Sequence, residues 1–86
     1  MNHFASPQFW DCYGRLPLTV RQLADKCYEL MKQDPRHPSI CLKKVGLYYS
    51  ARVGLHYRAL AVEAPDGLVW FWLGSHAEYD QIIQAT

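Results

Sequence analysis

The chain has 86 residues, of which 50% are hydrophobic and 20% charged, with a formal net charge of +1. Intrinsic disorder is excluded by that apolar content, a multi-domain enzyme by the length, and a surface that would bind any polyanion by the near-zero balance. The longest apolar run, Leu68 to Leu73, is too short to cross a bilayer. Residues 1–5 lack the basic and apolar regions of a secretory signal. One domain over residues 1–86, cytoplasmic and without membrane contact, is therefore expected.

In chain order, Ser6-Pro7 reads as a helix start, with Ser6 as cap and Pro7 at the first helical position, where a missing N–H costs nothing. A short helix through Phe9, Trp10 and Tyr13 follows, closed by Gly14. From Leu18, the apolar positions Val20, Leu23, Ala24, Cys27, Leu30 and Met31 recur at intervals of three and four, one stripe along a second helix. Asp34-Pro35 ends it, because a residue before proline is pushed out of the helical region. The pattern then turns to strand composition, with strands expected at Ile40 to Val45, Tyr48 to Val53, Tyr57 to Ala64 and Leu68 to Gly74, and a turn at Pro65-Asp66-Gly67. Glu78 to Gln84 adds a last helical turn or two. The expected architecture is α+β: an N-terminal two-helix hairpin packed on a four-stranded antiparallel sheet, with a short C-terminal helix.

Cys12, Cys27 and Cys41 contain no C-x-x-C pair and are odd in number, so reduced thiols are expected. His37 and Cys41 share a spacing of four but lack the second ligand pair of a closed tetrahedral site. Neither a metal nor a cofactor is expected.

Charge is unevenly placed. Residues 1–46 carry seven basic groups against four acidic, and residues 47–86 two against four. The two basic groups of the second half are Arg52 and Arg58, flanking Gly54-Leu55-His56. A three-residue loop there sets Val53 opposite Tyr57 and Arg52 opposite Arg58; a two-residue loop would split the arginines onto opposite faces. The first keeps the apolar residues together. Like charges facing each other across a hairpin are destabilising unless an anion sits over them, which makes the pair candidate phosphate ligands; neutralisation by Glu63, Glu78 or Asp80 is the alternative. Lys43 and Lys44 point to opposite faces, so at most one joins the arginines. Beyond the fourth strand, Gly74-Ser75-His76-Ala77-Glu78-Tyr79 offers an imidazole able to exchange a proton near neutrality and, three residues on, a hydroxyl. The same segment reads as a capping box, Ser75 paired with Glu78.

The helical hairpin, the D-P-x-x-P loop at Asp34 to Pro38, the basic strand, the R-V-G-x-x-Y-R stretch at Arg52 to Arg58, and the apolar last strand ending in Gly74 to Tyr79 together resemble the RelE/ParE superfamily of bacterial type II toxins. The resemblance spans residues 9–83. It implies a toxin neutralised by a cognate antitoxin protein. RelE-like members cut messenger RNA on the ribosome without a metal, whereas ParE-like members inhibit DNA gyrase and cut nothing. An inactive module whose only partner is the antitoxin is a third possibility. Arg58 matches the arginine of the family's Y-R motif, Arg52 the arginine before V-G and His76 the basic or histidine position after the last strand, and Tyr79 lies near the tyrosine that often closes the segment. The resemblance therefore implies an endoribonuclease with His76, Arg58, Arg52 and Tyr79 in catalysis; Lys43, Lys44 and His56 are the residues expected to touch RNA.

Overall fold

The computed structural model describes residues 2–84. Its elements are β1 (Asn2–Ala5), α1 (Pro7–Gly14), α2 (Leu18–Gln33), β2 (Lys43–Val45), β3 (Tyr48–Val53), β4 (Tyr57–Ala64), β5 (Gly67–Ser75) and α3 (His76–Gln84). The α+β class stands, but the sheet has five strands in the order β1-β5-β4-β3-β2 rather than four. It is also mixed rather than purely antiparallel, since β1 runs parallel to β5, with His3 beside Leu68 and Ala5 beside Trp70. The helical hairpin is thus preceded by a strand. Two further bonds hold β1 in place: the Ser6 amide donates to the Trp70 carbonyl at 2.9 Å, and the Trp70 indole Nε1 donates to His3 Nδ1 at 3.1 Å.

Helix α1 begins where its cap chemistry puts it, with the Phe9 amide donating to Ser6 Oγ at 3.3 Å and Pro7 in the first turn. The apolar stripe of α2 faces the sheet only loosely. Met31 is its one fully buried residue, while Ala24, Cys27 and Leu30 are half-buried against the core. Between the helices and the sheet lies a cavity of about 280 Å³, lined among others by Phe9, Trp10, Tyr28, Met31 and Trp70. Small side chains at Ala24 and Cys27 explain the gap, because neither reaches far from the helix axis.

The strand expected from Ile40 is shortened to Lys43–Val45. Cys41 takes a left-handed conformation, φ 53°, which turns the chain out of the ladder. Ile40 nevertheless stays attached to the sheet: its carbonyl accepts the Arg52 amide at 2.6 Å, and its side chain is buried in the core. In β5 the register against β4 slips, Leu60 pairing with Trp72 and Ala61 with Trp70, so Phe71 is the extra residue of a β-bulge. Strict alternation would put both tryptophans on one face. The bulge separates them, leaving Trp70 in the core with Ala59, Ala61 and Leu73 and Trp72 beside Leu60 on the other face.

Leu60 is completely buried although it points away from the helical hairpin. Helix α3 packs on β4 and β5, buries Tyr79, and brings Glu78 to the Gly74 position beside Trp72 on this face. The two sheet faces are therefore covered by different elements, the larger by α1 and α2 and the smaller, in part, by α3.

Candidate functional site

The β3–β4 connection is the three-residue loop Gly54-Leu55-His56, with Val53 opposite Tyr57 and Arg52 opposite Arg58. Gly54 adopts φ 67°, and a Cβ there would meet the Leu23 side chain at 2.5 Å, so both conformation and space select glycine. Residues opposite in this way have Cβ atoms about 4.5–5.5 Å apart. The two guanidinium stems therefore leave the sheet side by side, on the face opposite the helical hairpin. Arg58 is in turn opposite Gly74 and Tyr57 opposite Ser75, which brings the first turn of α3 to the same corner.

Neither arginine is neutralised among the described residues. Arg58 is half-buried and donates from one guanidinium nitrogen to the carbonyls of Tyr57, at 2.7 Å, and Gly54, at 3.4 Å. Arg52 has its Nε shielded from solvent with no hydrogen-bond partner. The three carboxylates that sequence reasoning offered as partners are engaged elsewhere. Glu63 accepts the Tyr49 hydroxyl at 3.2 Å, Asp80 contacts His76, and Glu78 accepts from the Ser75 amide and hydroxyl at 3.2 and 2.9 Å while its own amide donates to Ser75 Oγ at 3.2 Å. The last set is the reciprocal capping box, so the box and an exposed His76 coexist.

His76 opens α3. Its amide donates to the His56 carbonyl at 2.8 Å, which ties the helix start to the hairpin loop. Its Nδ1 lies 3.1 Å from Asp80 Oδ2, with both side chains about half exposed, and its ring centroid is 5.8 Å from that of Tyr79. Tyr79 is only 8% exposed, so its ring is packed away rather than standing in the open. Lys43 is opposite Ser50 and Lys44 opposite Tyr49. Since Ser50 and Arg52 share a face, Lys43 joins the arginines. Lys44 turns to the other side, its Nζ 6.0 Å from the centre of the Tyr49 ring. His56 is exposed in the hairpin loop.

Two roles, of residues the sequence reading had named for other reasons, escaped it. Asp80 stands one helical turn after His76, a spacing visible in the sequence as a His/Asp pair at i,i+4. Gly74 is the second: a Cβ at this position would lie 2.5 Å from the Trp72 ring and 3.2 Å from Glu78 Oε1. Its lack of a side chain leaves room beside Arg58 for the start of α3.

On this side of the sheet stand two guanidiniums and, on β2, one lysine, with two exposed imidazoles at the adjoining loop and helix start. Guanidinium and ammonium groups are side chains that pair with phosphate oxygens, and imidazole is one that exchanges protons near neutrality. Among the described residues no cluster of three His, Cys, Asp or Glu side chains has the geometry of a metal site, and no helix is long and apolar enough to cross a membrane.

Comparison with known proteins gives two findings. A family model described as "ParE-like toxin domain" matches residues 19–81. Among solved structures, the chain is similar to a RelB–RelE antitoxin–toxin complex from Methanococcus jannaschii, with a TM-score of 0.70 and 16% sequence identity over 92% of this chain and 96% of that one. No curated protein sequence matches the chain significantly.

Proposed function

Starting from the family to which this chain belongs, the ParE-like toxin domains of the RelE/ParE superfamily, we propose that it is the toxin of a toxin–antitoxin pair and acts as a metal-independent endoribonuclease on translated messenger RNA. The observation that carries this reading is the Arg52–Arg58 pair: two like charges set opposite in register beside an exposed imidazole, with neither arginine in an ion pair among the described residues. Holding two cations together without an anion costs stability, and a phosphodiester supplies the missing charge. An antitoxin partner accords with the RelB–RelE likeness.

In this reading the ribose 2′-hydroxyl attacks the adjacent phosphorus. Arg52 and Arg58 stabilise the charge that builds on the phosphorane oxygens. Lys43 contacts the neighbouring backbone from the same face, and Lys44 reaches RNA only where it wraps the sheet edge. His76 exchanges the proton, with Tyr79 orienting the imidazole. One such group contributes about 10²–10⁴ in rate.

Induction of the chain followed by mapping of transcript 5′ ends tests the proposal. New ends inside translated codons are expected, and His76→Ala abolishes both the ends and the growth arrest while leaving antitoxin binding intact. Unchanged arrest with His76→Ala overturns the assignment. A second reading, non-catalytic inhibition of DNA gyrase, draws on the net charge of +1, low for a protein that must grip RNA. Intact transcripts with a DNA-damage response after induction would establish it. Induction without any effect on growth would instead identify an inactive antitoxin-binding module.

A further inference from the structure

Cleavage by 2′-hydroxyl attack needs two proton transfers, one from the attacking oxygen and one to the departing 5′ oxygen, and a single imidazole in one position serves only one of them at a time. We infer that His56 is the second proton-transfer group: His76 is the base and His56, across the strand pair, is the acid. The inference rests on the ribonuclease reading above and assigns the two roles within it.

Three observations carry it. The last registered pair of β4 and β5 is Tyr57 with Ser75, and the His76 amide donates to the His56 carbonyl; the register thus runs one step further and sets His56 opposite His76. His56, at the end of the loop, and His76, at the first residue of α3, therefore both lie two residues from the Arg58–Gly74 pair along their chains. Both side chains are exposed, whereas Tyr79, the other group that carries a proton here, is buried. The contact between His76 Nδ1 and Asp80 decides the order. A carboxylate at Nδ1 fixes the tautomer with its proton there and leaves Nε2 bare, the form required of a base. His56 has no carboxylate contact among the described residues. The charged groups around the pair are Arg58 on β4, Arg52 on β3, and Glu78 and Asp80 on α3.

His76 Nε2 takes the proton of the 2′-hydroxyl as the O2′–P bond forms. The P–O5′ bond breaks, and the His56 imidazolium delivers its proton to O5′. The products are a 2′,3′-cyclic phosphate and a 5′-hydroxyl, with His76 protonated and His56 neutral until solvent resets both.

A leaving-group substitution tests the assignment. Ribosome-bound messenger RNA is prepared with sulfur in place of the bridging 5′ oxygen at the cleaved linkage, so that the departing thiolate needs no proton. The expected result is that His56→Ala and His56→Gln slow cleavage of the oxygen linkage by about 10²–10⁴ and leave the sulfur linkage within about tenfold of the unsubstituted protein. His76→Ala is expected to lose both. Equal losses on both linkages in the two His56 variants, or no loss on the oxygen linkage, would overturn the acid role while the ribonuclease reading stands. Failure of the unsubstituted protein to cut either linkage removes that reading and this inference with it.

Discussion

The two faces of the sheet divide the work of the molecule. Toward the helical hairpin the strands present Ala51, Val53, Ala59, Ala61, Trp70 and Leu73, all buried, and the burial of this apolar surface is the main source of folding free energy. On the other side they present Lys43, Ser50, Arg52 and Arg58, together with the apolar Tyr48, Leu60, Val62, Val69 and Trp72. The first face follows the rules of core packing, apart from one loosely filled cavity. The second breaks them by opposing two cations. A chain that keeps such a conflict on one side needs surplus stability from the other, so substitutions on the two faces should affect stability and activity in opposite proportions.

The largest effect is expected from Trp70→Ala, which empties the first face and removes the bond to His3. Denaturant titration should show a loss of about 3–5 kcal/mol, with cleavage per folded molecule unchanged; a smaller loss would mean that the cavity beside Trp70 lets the core collapse around the gap. Gly74→Ala tests the second face by overpacking. Its Cβ must displace the Trp72 ring or the Glu78 carboxylate, which should cost about 1–3 kcal/mol and lower cleavage more than stability, because the start of α3 carries His76. A normal cleavage rate in that variant would uncouple the corner from the helix start.

Arg52→Ala sharpens the contrast further. It relieves a like-charge pair worth about 0.2–1 kcal/mol and removes a shielded nitrogen without a partner, so the melting temperature should hold or rise while cleavage falls. A clear drop in melting temperature would place Arg52 among the stabilising residues. The smallest effect concerns pH. Burial holds the His3 imidazole below its ordinary 6.5, so as pH falls below that value the unfolded chain takes up a proton that the folded chain still refuses, and stability declines until the folded-state value is passed. Protonation also removes the acceptor for the Trp70 indole. Unfolding followed by tryptophan fluorescence should show this decline between neutral and mildly acidic pH, and His3→Asn should flatten it.

What the sequence discloses is what local chemistry determines. The cap at Ser6-Pro7, the stripe of α2, and the hairpin loop that opposes Arg52 and Arg58 each depend on residues within a few positions of one another, and each is found where the pattern puts it. The box at Ser75 and Glu78 is equally local. Strand β1 is different, since its partner lies about 65 residues on and four residues such as Asn2-His3-Phe4-Ala5 carry no alternation. The bulge at Phe71 is equally silent, because a uniformly apolar run has no periodicity to interrupt. The left-handed turn at Cys41 could not be read either, as cysteine has no preference for it. At the candidate site, the arginine pair and His76 were legible. The proposed roles of His76 and His56 rest on the His76–His56 backbone bond and on the Asp80 contact, neither of which a motif contains.

The outer margins of the sheet have a consequence for the protein at high concentration. One is the four-residue β1 and the other the three-residue β2, which bears two adjacent lysines. Edges this short, one of them positively charged, offer an incoming strand few backbone partners, so the free protein should resist stacking into edge-to-edge fibres.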